Sequence, residues 1–238
     1  MSPSAETNST PNPDIQVSMP DVVKFVRQLG HDLRNNLNAA ELQSAYLAEI
    51  AVAPEMREEI KRLRAMVSEV GASLQRVTSS LGAPRLTLMS YGAADFVEDL
   101  RQKVATDFSN ESAKIEWSVQ LGDATLEVDP QSLQSGLIEL FANAFRHGRG
   151  EGVISVEARM EKERFVFTIR EPKRNFERST ENWGREPLRT MAQGHYGLGL
   201  HRSRAIIEAH QGQLSARYDK AALSLITTVV LPSADLAK

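Results

Sequence analysis

Two rhythms of apolar spacing divide this chain. From Val22, the apolar or small residues Val22, Val26, Leu29, Leu33, Ala40, Leu47 and Ile50 follow alternating steps of four and three, with polar Asn36 and Gln43 at the skipped positions. After Val52-Ala53-Pro54, the set Met56, Ile60, Leu63, Val67, Val70, Leu74, Val77, Leu81 keeps the same rhythm. This spacing predicts two long helices with a packing seam. Pro54 suits a first helical turn, and a connection of about four residues makes the pair an antiparallel hairpin. A hairpin with so narrow a seam cannot bury itself, and its simplest completion is a second copy, giving a dimeric four-helix bundle. With Leu29 and Leu33 taken as seam positions, His31 falls on the opposite, outer face and Asn35 lies one turn later on that same face. Asn36 and Gln43, polar at seam positions, fit a role in fixing register.

Gly82-Ala83-Pro84 ends the second helix and marks a domain boundary. Beyond it, strand-like and helical patterns mix. Strands are expected at 85–90, 114–120, 124–128, 153–160, 164–170, 213–218 and 223–231, and helices at 93–108, 130–147 and 198–211. The strands 114–120 and 124–128 flank the turn Gly122-Asp123 and read as a pair, as do those around Glu161-Lys162-Glu163. Without a strict βαβ rhythm, the pattern predicts an α/β two-layer sandwich, with helices on one face of a mixed sheet. Residues 1–19, rich in Ser, Pro, Asn and Thr, hold too few apolar side chains to offset the entropy of ordering and are expected to be a disordered tail. The expected organisation is an α+β chain with a tail over 1–19, a hairpin over 20–82 and a sandwich over 85–234.

Composition narrows the partners. With 238 residues and 41% hydrophobic content there is enough chain for a core. The 31 acidic against 28 basic residues leave a net charge of −3, so no basic excess points to nucleic acid or an anionic membrane surface. The absence of cysteine excludes disulfides and thiolate metal sites. No apolar run approaches the ~20 residues of a membrane span, and the N-terminus lacks a signal pattern. The expectation is a cytoplasmic protein.

Three stretches carry candidate chemistry. In Gly30-His31-Asp32-Leu33-Arg34-Asn35 a histidine stands beside a carboxylate on a helix. In Glu139-Leu140-Phe141-Ala142-Asn143-Ala144-Phe145-Arg146-His147, Glu139 and Asn143 are four apart on one helical face, with His147 a turn further. A carboxylate and an amide oxygen at that spacing suit Mg²⁺, which takes one or two protein oxygens and otherwise water and phosphate; the same spacing also describes an ordinary solvated face. Finally, Gly197-Leu198-Gly199-Leu200 precedes a helix, whose free N–H groups and partial positive charge form a site for phosphate. It is not the dinucleotide-binding fingerprint, because it does not follow the first strand of a βαβ unit. His201, His210 and Trp117 read as packing or surface residues.

In this order, His31-Asp32-Leu33-Arg34-Asn35, Asn143-Ala144-Phe145-Arg146-His147 and Gly197-Leu198-Gly199-Leu200 resemble the H box, N box and second glycine box of two-component sensor histidine kinases, over roughly residues 21–232. The resemblance implies a dimerising hairpin that carries a phosphorylated histidine, followed by an ATP-binding domain of the type shared with gyrase and mismatch-repair ATPases. It implies His31 as phosphoryl acceptor, Asp32 as its general base, and Asn35 as the position that helps orient a water for dephosphorylating a response regulator. It further implies Asn143 as a Mg²⁺ ligand, Arg146 as a phosphate contact, and Gly197 and Gly199 as the lid edge over the triphosphate. Glu139 and Asn143 become the metal pair, and His147 and Leu198 join the nucleotide-binding set. ATP and Mg²⁺ are the implied cofactors, and a response-regulator receiver domain the implied partner.

Three positions depart from the family pattern. Asn36 stands where many members have proline, and Glu139 where kinases usually have the first asparagine of the N box, as in the related ATPases. Instead of the first glycine box, Asp-x-Gly-x-Gly, the chain has Glu171-Pro172-Lys173-Arg174-Asn175-Phe176, with no glycine until Gly184. In the family that aspartate accepts a hydrogen bond from the adenine amino group; Glu171 could accept the same bond but is one methylene longer. The alternative implied by this departure is a histidine phosphotransferase or pseudokinase scaffold with a degenerate ATP site.

Overall fold

The computed structural model describes residues 18–146, 152–177, 179–185 and 197–234. The expected tail therefore lies outside the described residues up to residue 17, and so does His147. Two compact units part between Thr78 and Ser79.

The first unit is the helical hairpin. Helix α1 runs Met19–Ile50, opened by Ser18, whose hydroxyl accepts from the Asp21 N–H. Helix α2 runs Pro54–Ser80 and starts at the proline. Of the expected seam, Ile60 is buried and Val22, Val26, Val67, Leu74 and Val77 are half-buried. Gly30 and Ser44 are buried on α1, Gly30 lies against Thr78 and Leu74 of α2 and Gly71 of α2 lies against Leu37, whereas Leu29, Leu33 and Leu47 remain exposed. Gly30 marks the closest approach: a β-carbon there would collide with the Thr78 methyl group. The regular four-three pattern thus mixes two stripes. Small residues let the helices of one hairpin approach, and the larger leucines of the pattern lie to one side of that contact.

The second unit builds its core between three helices and a five-stranded sheet. In chain order it comprises β1 (Met89–Gly92), α3 (Ala93–Asp107), β2 (Ile115–Gln120), β3 (Thr125–Val128), α4 (Pro130–Arg146), β4 (Ile154–Glu161), β5 (Arg164–Pro172), α5 (Gly199–Ala209), β6 (Gln213–Asp219) and β7 (Ser224–Pro232). The sheet order is β2-β4-β5-β7-β6, with β2 parallel to β4 and the other neighbours antiparallel. The expected pairing of 114–120 with 124–128 does not occur. Strand β2 pairs with β4, and β3 pairs with β1 in a separate two-stranded sheet. Leu121 turns into the core and separates the two strands. Alternation within a strand sets which side chains face inward, but it does not choose the partner strand.

An aromatic cluster holds helices to sheet. The Phe141 ring lies 5.7 Å from Trp117 and 6.4 Å from both Phe145 and Phe167. Phe96, Leu100, Leu133, Leu137, Phe165 and Ile207 close around it. Helices α4 and α5 are pinned where the buried Ser203 hydroxyl donates to the Gly136 carbonyl at 2.8 Å. At the opposite end, the buried His210 accepts from the Asp129 N–H through Nε2 at 3.0 Å and donates through Nδ1 to the Ile206 carbonyl at 2.8 Å. His210 and Trp117 are packing residues.

Candidate functional site

His31 stands on the exterior of α1 because its neighbour Gly30 occupies the seam. One residue further along a helix is a rotation of about 100°, and the His31 side chain is 66% exposed. Asp32 Oδ1 lies 3.2 Å from His31 Nδ1 and also accepts from Gln28 Nε2 at 3.0 Å. These two hydrogen bonds, that from His31 foremost, hold the Asp32 carboxyl below its ordinary value. Asn35 Nδ2 lies 3.5 Å from the same His31 nitrogen. For Asp32 to accept, Nδ1 must carry the proton, and Nε2 is then an unprotonated nitrogen with a free lone pair. In that tautomer Nε2 would be a nucleophile that a second molecule can reach. Sequence reasoning brought His31, Asp32 and Asn35 together but overlooked Gln28, although its i, i+4 spacing to Asp32 is the signal for a hydrogen bond along a helix.

The second cluster forms where α4 meets the start of α5. The contact of Ser203 with Gly136 sets the two helices close, and three residues after Gly136 comes Glu139. A β-carbon on Gly199 would lie 2.5 Å from Glu139 Oε2, so the absence of a side chain there is what admits the carboxylate to the first turn of α5. That helix has no side-chain cap at Leu198, leaving its first N–H groups for other acceptors. Gly197 takes a left-handed φ of +64° just before it. One turn beyond Glu139, the Asn143 amide nitrogen is buried without a hydrogen-bond partner. Arg146 ends α4 and is exposed. Among the described residues no group of three or more His, Asp and Glu side chains forms a ready metal cage. The orphaned amide N–H and the uncapped helix start fit phosphate oxygens, and the Glu139 carboxylate and Asn143 amide oxygen suit a metal that takes its other ligands from water and phosphate.

The end of β5 is different. Glu171 and Pro172 are part of the strand, opposite Leu225 and Ser224 of β7, rather than in a following loop. Glu171 is buried, and its Oε2 lies 3.3 Å from Nζ of the equally buried Lys173. Tyr218 donates to the Lys173 carbonyl at 2.9 Å and its ring lies 5.7 Å from that of Phe176, which in turn lies 5.9 Å from Trp183. The phosphate end of the cluster therefore fits magnesium and a polyphosphate, whereas at the base end the carboxylate that the resemblance offers to adenine is engaged by an ammonium group. Lys173 comes directly after the last residue of β5, and its ammonium returns to the Glu171 carboxylate two residues back.

Residues 128–234 match the family described as histidine kinase-, DNA gyrase B-, and HSP90-like ATPase. Most of the second unit thus matches that family. Along most of the chain the relatives are sensor kinases. The alginate biosynthesis sensor protein KinB of Pseudomonas aeruginosa is 22% identical over 82% of this chain and 34% of its own length. The adaptive-response sensory kinase SasA of a Nostoc strain is 26% identical over 80% and 52%, and the sensor histidine kinase ZraS of Salmonella typhimurium 24% identical over 79% and 41%. The chain spans about a third to a half of the length of these curated relatives. Among solved structures, full-length ShkA in complex with AMPPNP superposes with a TM-score of 0.66 at 16% identity, over 88% of this chain and 46% of that one. The Acinetobacter baumannii histidine kinase AdeS reaches 0.51 at 15% identity, over 84% and 95%. Along most of its length the chain is thus similar to the core of two-component sensor histidine kinases.

Proposed function

We propose that this chain autophosphorylates His31 from magnesium ATP and passes the phosphoryl group to an aspartate on the receiver domain of a response regulator, acting as a homodimer in the cytoplasm. The observation that carries this reading is the His31–Asp32 contact on the exposed side of α1. Asp32 keeps the proton on Nδ1, so Nε2 attacks phosphorus as the bond to the leaving diphosphate breaks. The imidazolium-like charge that develops is stabilised by the same carboxylate. Glu139 and Asn143 would hold Mg²⁺, and Arg146 and the start of α5 would hold phosphate oxygens. The metal, when bound, spreads the charge of the transferring group. Asn35, within reach of the same histidine, fits a role in the reverse step, placing a water against the phosphorylated receiver. The exposed leucines of the hairpin support a second copy as their cover.

A second reading, a histidine phosphotransferase loaded by a phosphorylated receiver, is favoured by the Glu171–Lys173 ion pair alone. Labelling with γ-phosphate-labelled ATP separates the two. Incorporation by the wild type that is lost in His31→Gln and falls at least tenfold in Asn143→Ala supports the kinase. Labelling of His31 only from a phosphorylated receiver, unaffected by Asn143→Ala, would establish the transferase instead.

A further inference from the structure

We propose that Gln28 is a positioning residue for the phosphoryl acceptor: by holding the Asp32 carboxylate from one turn upstream, it selects the His31 tautomer whose Nε2 is free. The inference rests on the reading of His31 as acceptor. Its basis is that one nitrogen, His31 Nδ1, faces two groups of opposite character. Asp32 Oδ1 at 3.2 Å can only accept from it, and Asn35 Nδ2 at 3.5 Å can only donate to it. If Nδ1 carries the proton, Asp32 is satisfied and Nε2 is nucleophilic. If Nδ1 accepts from Asn35, the proton sits on Nε2 and attack is blocked.

An exposed aspartate rotates freely between water and its neighbours, so the balance depends on what holds it. Gln28 Nε2 donates to the oxygen nearest His31, at 3.0 Å across one helical turn. That bond fixes the χ angles of Asp32 with Oδ1 beside the ring. Gln28 and Asp32 are both exposed on the helix surface, away from the hairpin seam, so changing Gln28 leaves the packing of α1 intact.

The test uses the full chain and reads the tautomer directly, by long-range nitrogen–proton correlation NMR of the imidazoles, with His31→Gln assigning the signals. Gln28→Leu is expected to move the ratio about threefold from Nδ1–H toward Nε2–H, the size of one modest hydrogen bond. His31 labelling should slow by a similar factor with KM for the nucleotide unchanged, because Gln28 touches no nucleotide site. Gln28→Lys restores a donor and should return both toward wild type. An unchanged tautomer ratio in Gln28→Leu would overturn the inference, whatever happens to labelling. A shifted ratio in a protein that takes no phosphate from ATP would retain the positioning role and remove the kinase reading.

Discussion

In the sandwich, Phe96, Leu100, Phe141, Phe165 and Ile207 are closed off from water, whereas along the hairpin Leu29, Leu33, Leu47, Met56, Leu63 and Val70 stay between 38% and 57% exposed. The first unit is thin and carries its chemistry on the outside. The second is thick and carries it where two helices converge. Burial stabilises by only about 25 cal/mol per Å², and of the hairpin's described apolar side chains only Ala51 and Ile60 are buried. The sandwich has a complete core of its own. The difference teaches that one unit can be tested in isolation from its partners and the other cannot. His31 sits on the unit with the exposed leucines, so under the proposed function phosphate transfer and assembly would be coupled through the same helix.

The contrast is tested most strongly by Phe141→Ala. Removing this ring from the aromatic cluster should cost about 3–5 kcal/mol. Both tryptophans, Trp117 and Trp183, lie in the second unit, so their fluorescence should lose its cooperative transition at lower denaturant while the concentration-dependent melting of the hairpin is retained. A simultaneous shift of both would break the distinction between the units.

On the hairpin side, Gly30→Ala should destabilise by about 1–3 kcal/mol through overpacking against Thr78, although alanine is the better helix former. Adding Thr78→Ala removes the colliding methyl and should restore or exceed wild-type stability, measured by circular dichroism at a fixed concentration. If the double variant is no better than Gly30→Ala, the close approach of the helices is refuted.

Within the sandwich, His210→Phe leaves the Asp129 N–H without its acceptor, at a cost of about 1–3 kcal/mol, read from the fluorescence transition alone. The smallest effect concerns Asp129 itself. N–H donation from Thr87 first, and then from Ser132, holds its carboxyl below the ordinary value. A depressed folded-state pKa adds stability that is fully present above the unfolded value of about 3.9 and is lost as pH falls through the lower folded value. Asp129→Asn should therefore lose a modest amount of stability at neutral pH and converge with wild type in acid. A constant gap across that range would show that its carboxylate charge plays no part.

Much of this was legible in the chain. Local pattern located the helices and most of the strands, because periodicity is a property of each segment by itself. The nearness of His31 and Asp32 was equally local, since adjacent residues on a helix need no tertiary contact to meet. What pattern did not resolve was choice among equivalent partners. Alternation around Gly122-Asp123 is compatible with a hairpin, but β2 and β3 join different sheets. The four-three rhythm of α1 describes two neighbouring stripes at once, and only the buried Gly30 shows which one faces α2. In the run Glu171-Pro172-Lys173 nothing local shows that β5 continues through Pro172 and leaves the two charges buried side by side.

By itself, then, the sequence determined the segments, the outward placement of His31 and the identity of its chemical neighbours, since each follows from spacing within about one helical turn. The tertiary structure decided that Glu139 meets Gly199, that Glu171 is held by Lys173 and that Gly30 is the point where the hairpin helices come closest. Those are contacts between residues far apart along the chain or between charges buried together, whose energies depend on packing and burial that no local pattern encodes.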